Sequence, residues 1–329
     1  MFMILSPRAL LDLLIRSIEE SGWQMLVADP VKPFEFRIFR GEIRGPVLRV
    51  YIWNCTHGGG SARAEDEYRI QITGVVPREH GGEITLLLGW HSGYEVFAAW
   101  DIGHHAGQDS SSPSAQIREE VLKQAHTKRF AVGTRANGEI VVAFRPEFLV
   151  DYAMAAHSLH RIGEVSGDFD LLNKVEELEQ GDIEAIANSE RRKVVATIVR
   201  RYRLADFRKR VLGAYNYGCA MCGVQLDLID AAHILPVAVD ESTDHTNNGV
   251  ALCKLHHAAF DRKLVSFDED YRIEVSDTEL KRLSDSRRGS GKDEFREMLK
   301  DALILPNDRR DYPPPTLIQR SRAIRGWVL

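Results

Sequence analysis

Four residues that commonly bind soft metal ions occur as two short pairs in the C-terminal third of this 329-residue sequence. Cys219 and Cys222 form a C-x-x-C pair, and Cys253 and His256 form a C-x-x-H pair further along the chain. Zn²⁺ prefers four nitrogen and sulfur ligands in a tetrahedron, and each short pair can place two ligands on one ion. The spacing therefore predicts a structural zinc site that joins two distant segments.

Further polar residues in the same region could act on a bound substrate. A neutral imidazole such as that of His233 can take a proton from water. His257 and Asp261 are four residues apart, so they share one face of a helix and could hold a hard cation. His256 precedes His257 directly, so the two rings project from different parts of the helix surface and could serve two different ions.

These residues, in the order His233, Asn248 and His257 within a zinc frame, resemble the motif of HNH endonucleases. The resemblance covers roughly residues 200–275 and implies a ββα-metal nuclease domain in its zinc-stapled form. It implies that His233 is the general base and that Asn248 orients the base or binds the catalytic ion. It also implies that His257 binds Mg²⁺ or Mn²⁺, and that cleavage leaves 5′-phosphate and 3′-hydroxyl ends.

One position departs from the pattern of the family. Many HNH enzymes have an Asp, Glu or His ligand directly before the general base, where this chain has Ala232. The catalytic ion would then be held by His257 together with Asn248, Asp261 or Asp230. The order of patterns along the chain predicts an α+β protein with three parts. These are a mixed α/β recognition or sensor domain (1–160), a charged helical connector (161–205) and the HNH endonuclease domain (206–329).

The N-terminal part contains two further candidates for DNA recognition. The glycine-rich loop at 57–63, which ends in Arg63, could contact a phosphate, or it could be a plain hairpin loop. The aromatic residues Trp90, Tyr94 and Trp100 could form a pocket for an extruded base, or they could belong to a core. The sequence also predicts a helix over 112–125 in this part of the chain.

The strongest local concentration of positive charge lies between Arg191 and Arg210, directly before the HNH motif. On a helix, this run could contact the phosphate backbone of DNA, or it could be a solvated face with internal ion pairs. The candidate DNA-binding residues here are Arg191, Arg192, Lys193, Arg200, Arg201, Arg203, Arg208, Lys209 and Arg210. Arginines near the C-terminus, including Arg325, could add further DNA contacts.

Composition sets broader limits. The formal net charge of −5 gives no overall indication of nucleic-acid binding, so the distribution of charge matters more than its sum. No apolar stretch approaches the length of a membrane span. The small number of cysteines, mostly in a metal pattern, favours a reducing cytoplasm.

Three hypotheses follow from the sequence. The first is a restriction or defence nuclease that cleaves double-stranded DNA, possibly modified DNA, as a homodimer, because cutting both strands needs two active sites. The second keeps the nuclease but makes the N-terminal part a sensor of a small molecule or a protein. The third is a zinc-containing DNA-binding protein without catalytic activity, which Ala232 alone supports.

Overall fold

A computed structural model of the chain describes residues 3–58, 64–107, 113–161 and 178–327. The chain divides into two compact units, residues 1–202 and 203–329. Residues 178–202 of the predicted connector therefore belong to the first unit, while Arg63 of the candidate phosphate loop lies outside the described residues.

The N-terminal unit is built on a seven-stranded sheet with the strand order β1-β2-β3-β6-β7-β10-β9. The strands β3 and β6 are parallel, and the other neighbouring pairs are antiparallel. A smaller sheet has the order β4-β5-β8. The strands are β1 (Gln24–Asp29), β2 (Phe34–Arg40), β3 (Ile43–Asn54), β4 (Thr56–His57), β5 (Glu67–Gln71), β6 (Ile84–His91), β7 (Val96–Trp100), β8 (Ser114–Arg118), β9 (Phe130–Thr134) and β10 (Ile140–Phe144).

Two apolar clusters form the core of this unit. The first lies against α1, where Ser6 caps the N-terminus and leucines fill the buried face, and against α4. The second includes the aromatic face of β7 and residues of α3. Within its described residues, the helices of this unit are α1 (Pro7–Glu20), α2 (Ile102–His105), α3 (Glu119–Lys128), α4 (Leu149–Arg161) and α5 (Gln180–Glu184).

The helix predicted over 112–125 was wrong in its first half. Ser114–Arg118 is a strand that pairs with β5, and the helix begins only at Glu119. Ala115 and Ile117 are buried while their neighbours are more exposed, which is the two-residue period of a strand. Pairing with β5 therefore outweighs the helical preference of this segment that the local sequence indicates.

The long helix α6 (Ser189–Ala214) begins in the first unit and ends in the second. Its apolar residues Val194, Val195, Ile198 and Val199 are buried in the first N-terminal cluster, whereas Phe207 and Val211 belong to the core of the C-terminal unit. Among the described helices, none combines the length and the apolar character that crossing a bilayer requires.

The C-terminal unit contains a hairpin of β11 (Ile229–His233) and β12 (Gly249–Cys253), followed directly by α7 (Lys254–Asp261). In this β-β-α unit, α7 packs beside the hairpin of β11 and β12. A second hairpin joins β13 (Val265–Phe267) to β14 (Ile273–Val275). The remaining helices are α8 (Asp277–Asp285), α9 (Lys292–Glu297) and α10 (Pro315–Ile324). The predicted α+β class is confirmed.

Candidate functional site

The two cysteine-containing pairs meet in one cluster. The ligand atoms of Cys219, Cys222, Cys253 and His256 all lie within 4.8 Å of one another. The distances from Nδ1 of His256 to Sγ of Cys219 and of Cys253 are 3.4 and 3.3 Å. Sulfur and nitrogen corners of a zinc tetrahedron are about 3.6 Å apart for ordinary bond lengths. The cluster therefore fits one Zn²⁺ ion with no position left open for a substrate.

The fold explains why these four residues converge. Cys219 and Cys222 lie on a turn after α6, and the backbone N–H of Ala220 donates to the carbonyl of Ala251 in β12. Cys253 ends β12 and caps α7, so His256 lies one helical turn further on. Burial raises the pKa of Cys222 to about 12 and also raises the pKa of Cys253. Burial opposes ionisation of Cys219 as well, but a hydrogen bond with His256 lowers its pKa to about 6.

His233, at the end of β11, forms the centre of a second group of polar residues. Its Nε2 lies 2.9 Å from Oδ1 of Asp244, and only 11 % of its side chain is exposed. Its ring stacks on Phe207 with a centroid distance of 3.9 Å. Gly249 pairs with His233 across the hairpin, and a Cβ there would overlap Cγ2 of Val211 and lie 2.9 Å from the Phe207 ring. The absence of a side chain at Gly249 therefore leaves room for these two α6 side chains against β12.

The contacts of Asp244 keep it ionised. Its hydrogen bond with His233 lowers the pKa of Asp244, and the positive charges of Arg203 and Arg210 lower it further. Arg210 also donates to the backbone carbonyl of Asp244 over 2.7 Å and to the hydroxyl of Thr246. The end of α6 therefore fixes the segment that carries the partner of His233.

Asn248 is fully buried and acts on the same segment. Its Oδ1 accepts from the N–H of Leu235, while its Nδ2 donates to the carbonyl of Thr243 over 2.7 Å and to the hydroxyl of Ser242. None of these contacts reaches the His233 ring directly. The amide instead holds the loop that precedes Asp244.

His257 and Asp261 form a third pair on α7. Nε2 of His257 lies 3.5 Å from Oδ2 of Asp261, and their side chains are 26 % and 56 % exposed. This pair leaves space for water or a substrate, unlike the buried cysteine cluster. Among the residues that the structure describes, groups of three or more ligand side chains occur only in the cysteine cluster. A catalytic ion here would therefore take two protein ligands, together with water or phosphate oxygens, as Mg²⁺ often does.

Arg325 links the second and third groups. One of its terminal nitrogens donates to the carbonyl of His233 over 3.2 Å, and the other lies 3.6 Å from Oδ1 of Asp261. The guanidinium also lies over the ring of Phe260, 4.2 Å from its centroid. Burial lowers the pKa of Arg325, and the charge of Asp261 opposes that shift. A single buried cation thus holds both the strand end of His233 and the carboxylate of Asp261.

Two of the other candidate ligands have different surroundings. Asp230 forms ion pairs with Arg208 at 3.1 Å and with Lys254 at 2.8 Å, so its carboxylate is already engaged. Ala232 is buried in the core of the unit. An acidic ligand at position 232 would have to lie in that apolar core, where a charge is costly.

The residues of the basic run differ in their exposure, and Arg192 and Arg201 are only half exposed. Arg192 donates to the carbonyl of Ile186, and Arg201 pairs with Asp151 at 3.0 Å and donates to the carbonyl of Glu147. The side chain of Arg191 lies outside the described residues. The following residues of the run are exposed: Lys193, Arg200, Arg203, Arg208, Lys209 and Arg210.

The structure does not bring the three aromatic residues of the expected base pocket together. Trp90 packs with Phe97 in the first core cluster, with ring centroids 5.0 Å apart. Trp100 lies in the second cluster, which Tyr94 contacts from its edge. Tyr94 donates its hydroxyl to Glu119 over 2.7 Å.

Sequence reasoning missed Asp244, Phe207 and the role of Arg325. Asp244 follows His233 by eleven positions, and an acid between the general base and Asn248 could have been proposed as a partner for an imidazole. Arg325 was grouped with other arginines as a DNA contact. Nothing in local sequence distinguishes it from its exposed neighbour Arg320, since only the packing of α10 against β11 does so.

Comparisons with known proteins agree with this geometry. Residues 219–268 match the family model described as HNH endonuclease, and residues 46–153 match the one described as Methylase-associated X1. No curated protein matches the chain.

Among solved structures, a modification-dependent TagI restriction endonuclease is 12 % identical over 84 % of this chain and 80 % of that chain. Its TM-score of 0.28 is too low to support a conclusion about this chain. The match over residues 219–268 confirms the motif predicted from the sequence, and the chain therefore carries a nuclease domain of the HNH type in its C-terminal unit.

Proposed function

We propose that the chain is a metal-dependent endonuclease that cleaves double-stranded DNA, with His233 as its general base. The observation that carries this proposal is the hydrogen bond between Nε2 of His233 and the carboxylate of Asp244. An ionised carboxylate on one ring nitrogen keeps the proton there and leaves the other nitrogen, Nδ1, as the acceptor. Stacking on Phe207 fixes the plane of the ring.

The reaction proposed for this site is hydrolysis of a phosphodiester. Nδ1 of His233 takes a proton from water, the water oxygen bonds to phosphorus, the bond to the 3′ oxygen breaks, and the leaving 3′ oxygen takes a proton from a solvent water. The products are a 5′-phosphate and a 3′-hydroxyl end. His257 and Asp261 would hold Mg²⁺ or Mn²⁺, which stabilises negative charge on the phosphate and on the leaving oxygen. Arg325 keeps Asp261 and the end of β11 in place for this step.

Two further groups have supporting roles in the proposal. The cluster of Cys219, Cys222, Cys253 and His256 would hold a structural Zn²⁺ ion, because it is closed and distinct from His233. Asn248 is proposed as a positioning residue, since it holds the loop that carries Asp244 and makes no direct contact with a reacting atom.

The DNA backbone is proposed to follow the exposed basic residues of α6. Lys193, Arg200, Arg203, Arg208, Lys209 and Arg210 belong to this set. Arg192 and Arg201 are left out because they are only half exposed and their guanidinium groups donate to backbone carbonyls. Arg208 and Arg210 are retained because they are exposed, although each also pairs with an acidic residue. Phosphate contacts of this kind position the duplex and carry little sequence information.

We further propose that the N-terminal unit recognises modified bases and that the protein restricts foreign DNA in the cytoplasm as a homodimer. The description of residues 46–153 as methylase-associated fits a unit that distinguishes methylated from unmethylated DNA. Two copies would supply the two active sites that a double-strand break requires.

Cleavage of matched duplexes tests this proposal. The duplexes would be unmodified or would carry 5-methylcytosine, 5-hydroxymethylcytosine or N6-methyladenine, with Mg²⁺ or Mn²⁺ present. We expect cleavage of a modified duplex, and we expect His233→Ala to lower its rate by about 10²- to 10⁴-fold. His104→Ala, which changes an exposed histidine of the N-terminal unit, is the matched control.

The outcomes separate the hypotheses. Cleavage of all duplexes alike would retain the nuclease and remove the modified-base reader, which favours a sensor. A His233→Ala variant as active as the control would refute the assignment of the base. Binding of DNA without cleavage under any condition would favour a zinc-containing DNA-binding protein.

A further inference from the structure

The N-terminal unit contains a cavity of about 420 Å³ that no role described above uses. It lies between the loop at 79–83, the start of β6, the end of β7 and one face of α4. Its volume is within the range of small-molecule sites in proteins. All of its lining residues belong to one unit, and it does not depend on the position of the nuclease domain.

One wall of the cavity presents a fixed hydrogen-bond acceptor. Nδ1 of the buried His160 lies 2.8 Å from the carbonyl of Ile140, so this nitrogen must donate. Burial lowers the pKa of His160 and keeps its ring neutral, so Nε2 accepts from the hydroxyl of Tyr152 over 2.9 Å. Because the Tyr152 proton is used in this way, its oxygen can offer a ligand only a lone pair.

Two other lining residues have unused hydrogen-bonding capacity. Oδ1 of Asp101 caps α2 by accepting from the N–H of Gly103 over 3.0 Å. Among the described residues, its second carboxylate oxygen accepts no hydrogen bond. Among the described residues, the buried hydroxyl oxygen of Thr85 has no hydrogen-bond partner, and a buried polar atom of this kind costs free energy.

The charge of the lining limits the type of ligand. Neither lysine nor arginine occurs among the residues described as lining this cavity, whereas Glu79, Glu83 and Asp101 do. Glu83 is paired with Arg49 at 2.6 Å, but a phosphate group inside the cavity would still face the carboxylates of Glu79 and Asp101 without a lysine or arginine in the lining. The lining also includes apolar side chains at Ile84, Ile102 and Ala156. These features favour an uncharged ring that donates hydrogen bonds, and they disfavour a free nucleotide or any other phosphorylated signal.

We infer that this cavity holds an amino-bearing base, cytosine or adenine in methylated form, turned out of the duplex. The exocyclic amine would donate to Asp101, and an amine with two protons, as in 5-methylcytosine, would also donate to Tyr152. The methyl group would contact the apolar side chains, and the phosphates would remain outside. Thymine lacks such an amine. Proteins that inspect single bases commonly extrude them in this way. The inference rests on the proposed function of the N-terminal unit as a reader of modified DNA.

Binding in the His233→Ala background tests the inference without cleavage. The duplexes are unmodified or carry 5-methylcytosine or N6-methyladenine, with 2-aminopurine beside the target base to report its unstacking. Asp101→Asn retains the oxygen that caps α2 and replaces the other with an amide N–H₂, which cannot accept from an amine. Tyr94→Phe is the matched control, because it removes a hydrogen-bonded hydroxyl that lies outside the cavity.

We expect preferential binding of one modified duplex with a rise in 2-aminopurine fluorescence, retained in Tyr94→Phe. Asp101→Asn should lower that affinity by about 10-fold or more and abolish the rise, with unchanged thermal unfolding. Thr85→Val should lower the affinity by a smaller factor. Preferential binding that Asp101→Asn, Thr85→Val and Tyr94→Phe all retain would overturn the cavity assignment and keep the reader. Equal binding of all duplexes would overturn the reader itself, and the inference with it.

Discussion

The C-terminal unit contains two groups of polar residues, the cysteine cluster and the proposed reaction site, that differ in almost every physical respect. In the cysteine cluster, four ligand atoms lie within 4.8 Å of one another and three of the four residues are buried. At the proposed reaction site, His233 pairs with Asp244 and His257 pairs with Asp261, and the carboxylates are partly exposed. The first group supplies all four ligands of a tetrahedral ion from the protein itself. The second leaves donors facing solvent, where a substrate can complete the coordination.

This difference shows how one small β-β-α unit can separate stability from reactivity. His256 and His257 are neighbours on α7, yet His256 faces the thiols and His257 faces Asp261. A closed tetrahedral site stabilises the fold, whereas a catalytic site needs open positions. The two groups should therefore respond differently to substitution.

Loss of the cysteine cluster should have the largest effect. We expect Cys253→Ala, or removal of zinc by a strong chelator, to eliminate the cooperative unfolding of the C-terminal unit and all cleavage. Metal binding to such a cluster is also folding free energy, because the unfolded chain has no preformed site. Metal content and thermal unfolding by circular dichroism measure the effect. Cys55→Ala, which changes a buried cysteine of the other unit, should retain the zinc.

Asp244→Asn should affect catalysis and leave the cluster intact. An amide can present either its N–H₂ or its oxygen to the imidazole, so the ring loses its fixed tautomer and the charge that supports its protonated form. We expect the cleavage rate to fall by about 100-fold at saturating DNA, within the range of general-base effects. Single-turnover kinetics measure the loss of cleavage, and the zinc content shows whether the cysteine cluster remains intact. Unchanged kinetics would refute the assigned role of Asp244.

Substitution of Arg325 should have a smaller effect, on both the cleavage rate and the stability of the fold. Arg325→Met removes a buried guanidinium and leaves the carbonyl of His233 without that donor, which should cost about 1–3 kcal/mol of unfolding free energy. We expect the cleavage rate to fall by about 10-fold, since misplacement of the base raises the barrier. Arg320→Met, on the same helix but exposed, should change stability by under about 0.5 kcal/mol. Equal effects of the two substitutions would contradict a positioning role.

The cysteine cluster could be predicted from the sequence, but the reaction site only in part. Two short-range pairs carry the zinc ligands, and their spacing is visible in the linear chain. Asp244, the partner of His233, comes from a loop, and Arg325, the partner of Asp261, directly follows α10, so only tertiary packing brings these residues together. The three aromatic residues predicted for a base pocket do not share one, because Trp90 and Trp100 belong to different cores although they lie on adjacent paired strands. Of the three, Trp100 alone lines the cavity at the end of β7.

The pH dependence of stability tests the pair of His233 and Asp244 at the proposed reaction site. The pKa of Asp244 is lowered, so its ionised form stabilises the folded state. This contribution is fully present above the unfolded-state pKa of about 3.9 and disappears as the pH falls through the lower folded value. We expect wild type to have a higher Tm than Asp244→Asn near neutral pH, and the difference to vanish in strong acid. A difference that grows with acidification would contradict the assigned pair.

The smallest predicted effect is on the salt dependence of DNA binding, which shows which surface of the C-terminal unit the DNA contacts. Arg210 at the end of α6 donates to the backbone of Asp244, so the basic residues beside it lie near the reaction site. Lys300 is exposed beside the cysteine cluster, with its Cε 3.6 Å from the position of a Cβ on Gly223, next to Cys222. Each lysine that contacts a phosphate releases about one counterion when DNA binds. We therefore expect Lys209→Ala to reduce the slope of log K against log salt concentration by about one, and Lys300→Ala to leave it unchanged. The two substitutions remove the same charge, so net charge does not explain a difference between them. A reduced slope only for Lys300→Ala would place the duplex against the cysteine cluster, which would separate the DNA from His233.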